Sequence, residues 1–236
     1  RPQRWGFWMP CVWFGVYLIA TQAVLTLAVL LGYAHWMKLP MTINGAREML
    51  GSTEHMILVA LAVNLLSLPL IILMVKSKRG SVWRDYMAWR GVGFGRVVLW
   101  VILCLLTVFA MGILHKTLGW TESGFMDELV LTRSPVWMVL SVAVIAPIFE
   151  EMVFRGFVYG GFERSLGAWP AVLLSSALFT VLHGQYNVYE LTQIFALGMV
   201  LGLARMRSQS LFTPIVMHAV NNALATAMVF LADQVK

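Results

Sequence analysis

The sequence predicts an all-α polytopic membrane helix bundle of about seven to eight transmembrane helices. Three observations predict it. Of 236 residues, 60% are hydrophobic and only 12% charged, with a mean hydropathy of +0.79, far from the balance a water-soluble domain keeps. Apolar runs of the length needed to cross a hydrocarbon core of about 30 Å, roughly 20 helical residues, recur along the chain. The loops between them alternate in charge, basic then acidic.

The runs fall at about Trp5 to His35, Met56 to Val75, Val97 to Leu114, Val136 to Phe162, Trp169 to Leu182, Leu191 to Ala204 and Leu211 to Leu231. The fifth and sixth are short, and a surface helix at Met41 to Leu50 would make an eighth element. The first run follows Arg1 and Arg4 and is too long and too aromatic for a cleaved signal peptide, so it reads as a mature helix. No internal repeat or linker divides the chain. It reads as one integral membrane domain, residues 1–133 supplying amino-terminal helices and loops and 134–236 a core from the last four helices.

Net charge is +6, but this does not point to nucleic acid. The basic residues sit in short loops: Arg1 and Arg4, then Lys76, Lys78, Arg79, Arg84 and Arg90, then Arg164, then Arg205 and Arg207. Glu48, Glu54, Glu122, Asp127, Glu128 and Glu190 occupy the opposite loops. The positive-inside rule then places the amino terminus in the cytoplasm. Cys11 and Cys104 lie inside apolar runs without metal spacing or a disulfide framework. The aromatic content, 10 Trp and 13 Phe, fits contact with membrane lipids.

Within the fourth run, Glu150, Glu151 and Arg155 are charges where a lipid-facing helix carries none, each costing about 2.5 to 3.5 kcal/mol at mid-membrane even on the lenient scale. Glu151 and Arg155 are four apart in the favoured order for a helical ion pair. Glu150 is left over, about 100° round the helix, and suits a group that accepts and returns a proton. A purely structural network of the three charges is the alternative. Pro147, just before them, predicts a local break.

Histidines sort by position. His35, His55 and His115 end apolar runs, where an interfacial imidazole needs no special role. His183 closes the fifth run, before Gly184. His218 and Asn222 share one stripe of the seventh helix, which Thr213 would cap and Pro214 would begin. Counted at 1.5 Å per residue, Glu150 and His183 each lie about 21 Å along their helices, so with tilt these residues meet near mid-depth.

These residues resemble the CAAX prenyl endopeptidase and bacteriocin-processing (Abi) family of intramembrane proteases, which includes the type II CAAX protease. Its three motifs read here as Glu150-Glu151-Met152-Val153-Phe154-Arg155, Phe179 to His183, and His218 to Asn222, in order, over about Val136 to Leu231. The resemblance implies peptide-bond hydrolysis in the membrane. Glu150, assisted by His183, would activate water, and His218 with Asn222 would donate to the oxyanion. Glu151, Arg155 and Phe179 would support them. The implied substrate is a peptide or protein near its carboxyl terminus, prenylated CAAX proteins being one class. No cofactor is expected on this reading. Two rivals remain: a zinc protease with Glu150, His183 and His218 as ligands, and a non-catalytic immunity or scaffold protein.

Overall fold

The computed structural model describes residues 22–38, 51–77, 82–120 and 135–233, together with 12, 15, 16, 42 and 44. Most of the first predicted run up to residue 21, most of the surface helix expected at 41–50, the acidic loop 121–134 and the basic residues 1, 4, 78 and 79 lie outside the described residues. The described elements are helical, with no strand among them. We number the helices α1 (Ala23–Trp36), α2 (Thr53–Ser77), α3 (Phe94–Thr117), α4 (Pro135–Leu166), α5 (Ala168–Val181), α6 (Val188–Ser208) and α7 (Phe212–Asp233). A single turn, Trp83–Tyr86, lies between α2 and α3.

Five helices, α2, α3, α4, α6 and α7, are long and apolar enough to cross a membrane. α5 is not: its 14 residues span about 21 Å, less than a hydrocarbon core. It starts after Gly167, whose φ of +90° only glycine adopts without strain, and ends at Val181. His183 therefore sits past the end of a helix that stops short. α6, expected to be short, is extended to Val188 by a capping box in which Asn187 and Glu190 satisfy each other's backbone N–H groups at 3.1 and 3.0 Å. The start of α7 also differs from expectation. It begins at Phe212, its first N–H taken by Ser210 Oγ at 3.2 Å, rather than at a Thr213 cap.

α4 is the central strut. Every residue from Glu151 to Phe162 is buried, and its apolar side chains pack with Ile71 and Val75 of α2, Ala171, Val172 and Phe179 of α5, Leu211 just before α7, and Ile215 of α7. A second cluster joins Cys104 of α3 to Leu197, Val200, Leu201 and Ala204 of α6 and Met217 of α7. Gly198 permits one of the closest approaches. A Cβ there would stand 3.2 Å from that of Ser176, so its absence lets α6 lie against α5.

The break expected at Pro147 takes a specific form. α4 runs as α-helix to Met138, π-helix over Val139–Ile145, α-helix over Ala146–Glu151, π-helix over Met152–Val158, and α-helix again to Leu166. Both carboxylates thus ride on one short α-helical piece between two π stretches. At the exit of the first, the N–H of Ala146 bonds Ser141 O, five residues back. This skips Val142 O, and the next residue, Pro147, has no N–H to offer. At the exit of the second, Tyr159 N–H bonds Phe154 O and skips Arg155 O.

Candidate active site

Glu151 and Arg155 form the ion pair that their spacing predicts. Arg155 Nη1 lies 2.9 Å from Glu151 Oε1, with both side chains fully buried. Two further contacts hold the guanidinium: Nη2 donates to Gly198 O at 2.9 Å, and the Phe179 ring lies 4.7 Å from Cζ. A buried charge is tolerated only when paired and hydrogen-bonded in this way.

α7 brings His218 against the same carboxylate. Its Nδ1 is 2.9 Å from Glu151 Oε1 and its Nε2 is 3.7 Å from Glu150 Oε2. The short contact to an acceptor places a proton on Nδ1. Nε2 is then either a lone pair or, in the imidazolium, a donor aimed at Glu150. The 3.7 Å gap is too long for a hydrogen bond. Glu150 keeps 22% of its side chain exposed, against 4% for His218 and none for Glu151. It is the accessible end of an otherwise buried network.

Phe179 lies at the centre of the ring contacts. It meets Phe154 and His218 edge-on, at centroid distances of 5.1 and 5.8 Å, and His183 at 4.5 Å. His183 Nδ1 donates to Phe179 O at 2.7 Å, which fixes the tautomer with Nε2 as acceptor. So the first residue of the second motif orients the last, by its carbonyl and by its ring. Asn222 is anchored on α4. Its Nδ2 donates to Val142 O at 3.0 Å, the carbonyl that the first π stretch skips, and its Oδ1 accepts from Asn221 at 3.2 Å. The amide closes the α4 defect that Pro147 leaves open.

Three residues carry roles that the sequence did not assign. Arg205, counted among the loop charges, is 2% exposed. Its Nε donates to Arg155 O at 3.2 Å, and its guanidinium covers the Tyr159 ring at 4.9 Å. Tyr186, in the turn after α5, stacks on His183 at 6.1 Å. Burial first, then the negative charges of Glu150 and Glu190, push its hydroxyl up to about 12, so it stays protonated. His115, in the last turn of α3, is buried by the protein, its Nε2 on Thr192 Oγ1 at 2.8 Å. Burial at a helix end has no signature in a single sequence.

Among the described residues there is no group of three His, Cys, Asp or Glu side chains placed to hold a metal ion.

The comparisons with known proteins fall on this same region. Residues 132–224 match the type II CAAX prenyl endopeptidase Rce1-like family. The match spans α4 to most of α7, and the resemblance read from the three motifs is borne out. A 24.3 kDa Escherichia coli protein is 30% identical to the chain over 128 residues, 51% of this chain and 59% of that protein. The membrane-embedded CAAX protease MroQ of Staphylococcus aureus is 25% identical over 100 residues, 40% of each. The Lactococcus lactis protein YajF is 28% identical over 134 residues, 54% of this chain and 65% of that protein. The chain thus spans less than two thirds of these relatives' length. No solved structure matches. The Rce1-like segment contains all of Glu150, Glu151, Arg155, Phe179, His183, His218 and Asn222.

Proposed function

We propose that this protein is an intramembrane endopeptidase that hydrolyses a peptide bond near the carboxyl terminus of a membrane-associated substrate. The observation that carries the reading is the pairing of an accessible carboxylate, Glu150, with an imidazole whose far nitrogen is anchored on buried Glu151. Glu150 takes a proton from water as the oxygen attacks the scissile carbonyl, and returns it to the amine as the C–N bond breaks. His183 Nε2 is a second acceptor that orients the water. His218, protonated on both nitrogens between two carboxylates, donates through Nε2 to the developing oxyanion. Asn222 keeps its second N–H for the same purpose.

The amino terminus is cytoplasmic on this reading, which the basic residues of the α2–α3 connection and of the α4 and α6 ends support. The match to a CAAX endopeptidase family favours a lipidated carboxyl-terminal segment as substrate. The test is quantitative proteomics of membranes from cells carrying wild-type or Glu150→Gln protein. A carboxyl-terminal fragment released only by the wild type supports the proposal. Identical fragment sets, together with an intact cellular phenotype in Glu150→Gln and His218→Ala, would establish the scaffold reading instead. Release that persists after exhaustive chelation separates this chemistry from zinc hydrolysis.

A further inference from the structure

We infer that Arg205 is a positioning residue for the Glu150–His218 pair, acting by holding the second π stretch of α4 open; this rests on the proposed hydrolase reading. A π turn inserts one residue into the α ladder and leaves one carbonyl unserved, so such turns persist in proteins only where something else compensates. In α4 both skipped carbonyls are taken by side chains from other helices. Val142 O is taken by Asn222 of α7, and Arg155 O by Nε of Arg205 of α6.

Without Arg205, the Arg155 carbonyl regains its ordinary partner by reclaiming Tyr159 N–H, and the stretch winds back into α-helix. Rewinding rotates everything on one side of the stretch against the other. On the far side lies the piece carrying Glu150 and Glu151. The coupling is short, because one residue serves both ends: Arg155 offers its carbonyl to Arg205 and its guanidinium to Glu151, whose Oε1 also holds His218 Nδ1. The Arg205 guanidinium is itself fixed, over the Tyr159 ring, whose hydroxyl donates to Glu163 at 3.0 Å. No contact of Arg205 with Glu150 or His218 is involved.

Two readouts test this. The first is the rate of release of the Glu150-dependent fragment in membranes, followed across pH, for Arg205→Met and Arg205→Lys. Arg205→Met keeps the packing stem and removes the donor. It is expected to slow turnover at least about tenfold with a displaced pH profile and little change in the half-saturating substrate level, whereas Arg205→Lys, retaining one donor, recovers part of the rate. The second needs no activity. Spin labels at the exposed positions Val144 and Leu166 of α4 bracket the second π stretch, and Arg205→Met is expected to change their distance distribution. A folded Arg205→Met protein with wild-type turnover, pH profile and label distances overturns the inference. Should Arg205→Met not fold, Arg205→Lys decides by the same criteria, with a rate and label distances identical to wild type counting against. If no Glu150-dependent fragment exists, the hydrolase reading fails, while the label distances still report whether Arg205 holds the π turn.

Discussion

His218 and Glu150 face each other across 3.7 Å with the other imidazole nitrogen already committed to Glu151. With His218 neutral, the cluster of Glu150, Glu151, Arg155 and His218 carries one net negative charge. One added proton brings it to neutrality, and the two groups that can hold that proton are His218 Nε2 and Glu150. In a low-dielectric setting such a shared proton is the natural currency of acid and base catalysis. Glu150 is the exposed member, so it is the one that meets water.

Glu150→Gln preserves shape and removes the carboxylate proposed as the base. Because Glu150 is partly exposed and its contact with His218 is a long 3.7 Å, the variant is expected to unfold within about 1 kcal/mol of wild type. Fragment release should fall at least about 100-fold. Thermal unfolding in detergent beside the proteomic assay checks both, and release above a tenth of wild type would remove Glu150 from the chemistry.

Arg155→Met behaves in the opposite way. It leaves buried Glu151 without its guanidinium partner and with His218 alone against it, and breaking a buried pair in this way is expected to cost about 3–5 kcal/mol of stability. Pairing it with Glu151→Gln removes that buried charge, so the double variant should be more stable than Arg155→Met alone. A double variant no more stable than the single would show that the pair is not the unit described.

The Tyr186 hydroxyl lies above its ordinary value of 10.0, at about 12, and the sign of its linkage follows. Folding favours the protonated phenol, so this contribution to stability is full below pH 10 and is lost as pH rises through about 12. Glu150→Gln removes one of the two negative charges that add to burial, and the titration midpoint should fall while staying above 10. Phenolate absorbance, with Tyr186→Phe for subtraction, measures it. An unmoved midpoint would mean that Glu150 and Tyr186 do not share the site.

Much of the site was legible because helical spacing is a local rule. Glu151 and Arg155 at i, i+4 could be paired from their spacing, which left Glu150 as the remainder. The helical class followed from apolar run length, and the runs inside the described residues each hold a helix. What escaped depends on packing between helices. Nothing in the order of residues says that His218 reaches both carboxylates, since that is set by how α7 lies on α4. A π stretch adds one residue to a turn without altering the apolar pattern, so it left no trace beyond Pro147. Arg205 ends an apolar run before Arg207 and reads as a loop charge, yet its neighbours bury it.

The fit between Pro147 and Asn222 separates an anchoring role for the amide from a chemical one. Asn222→Ala leaves the part-buried Val142 O without its side-chain donor, a loss of about 1–3 kcal/mol. Pro147→Ala supplies an N–H that the chain lacks there, and in either register the restored ladder serves the Val142 carbonyl, by Ala146 in an α turn or by residue 147 in a π turn. The cost of Asn222→Ala should therefore shrink by about 1 kcal/mol or more in a Pro147→Ala background, as expected for coupled neighbours. Thermal unfolding of the four proteins in one detergent gives the cycle. Additive losses would mean that the Asn222 amide does not compensate for Pro147. Fragment release from the double variant then divides the roles. If stability returns and cleavage returns with it, the amide only anchors α4; if cleavage stays low in a restored fold, its remaining N–H reaches the reacting carbonyl.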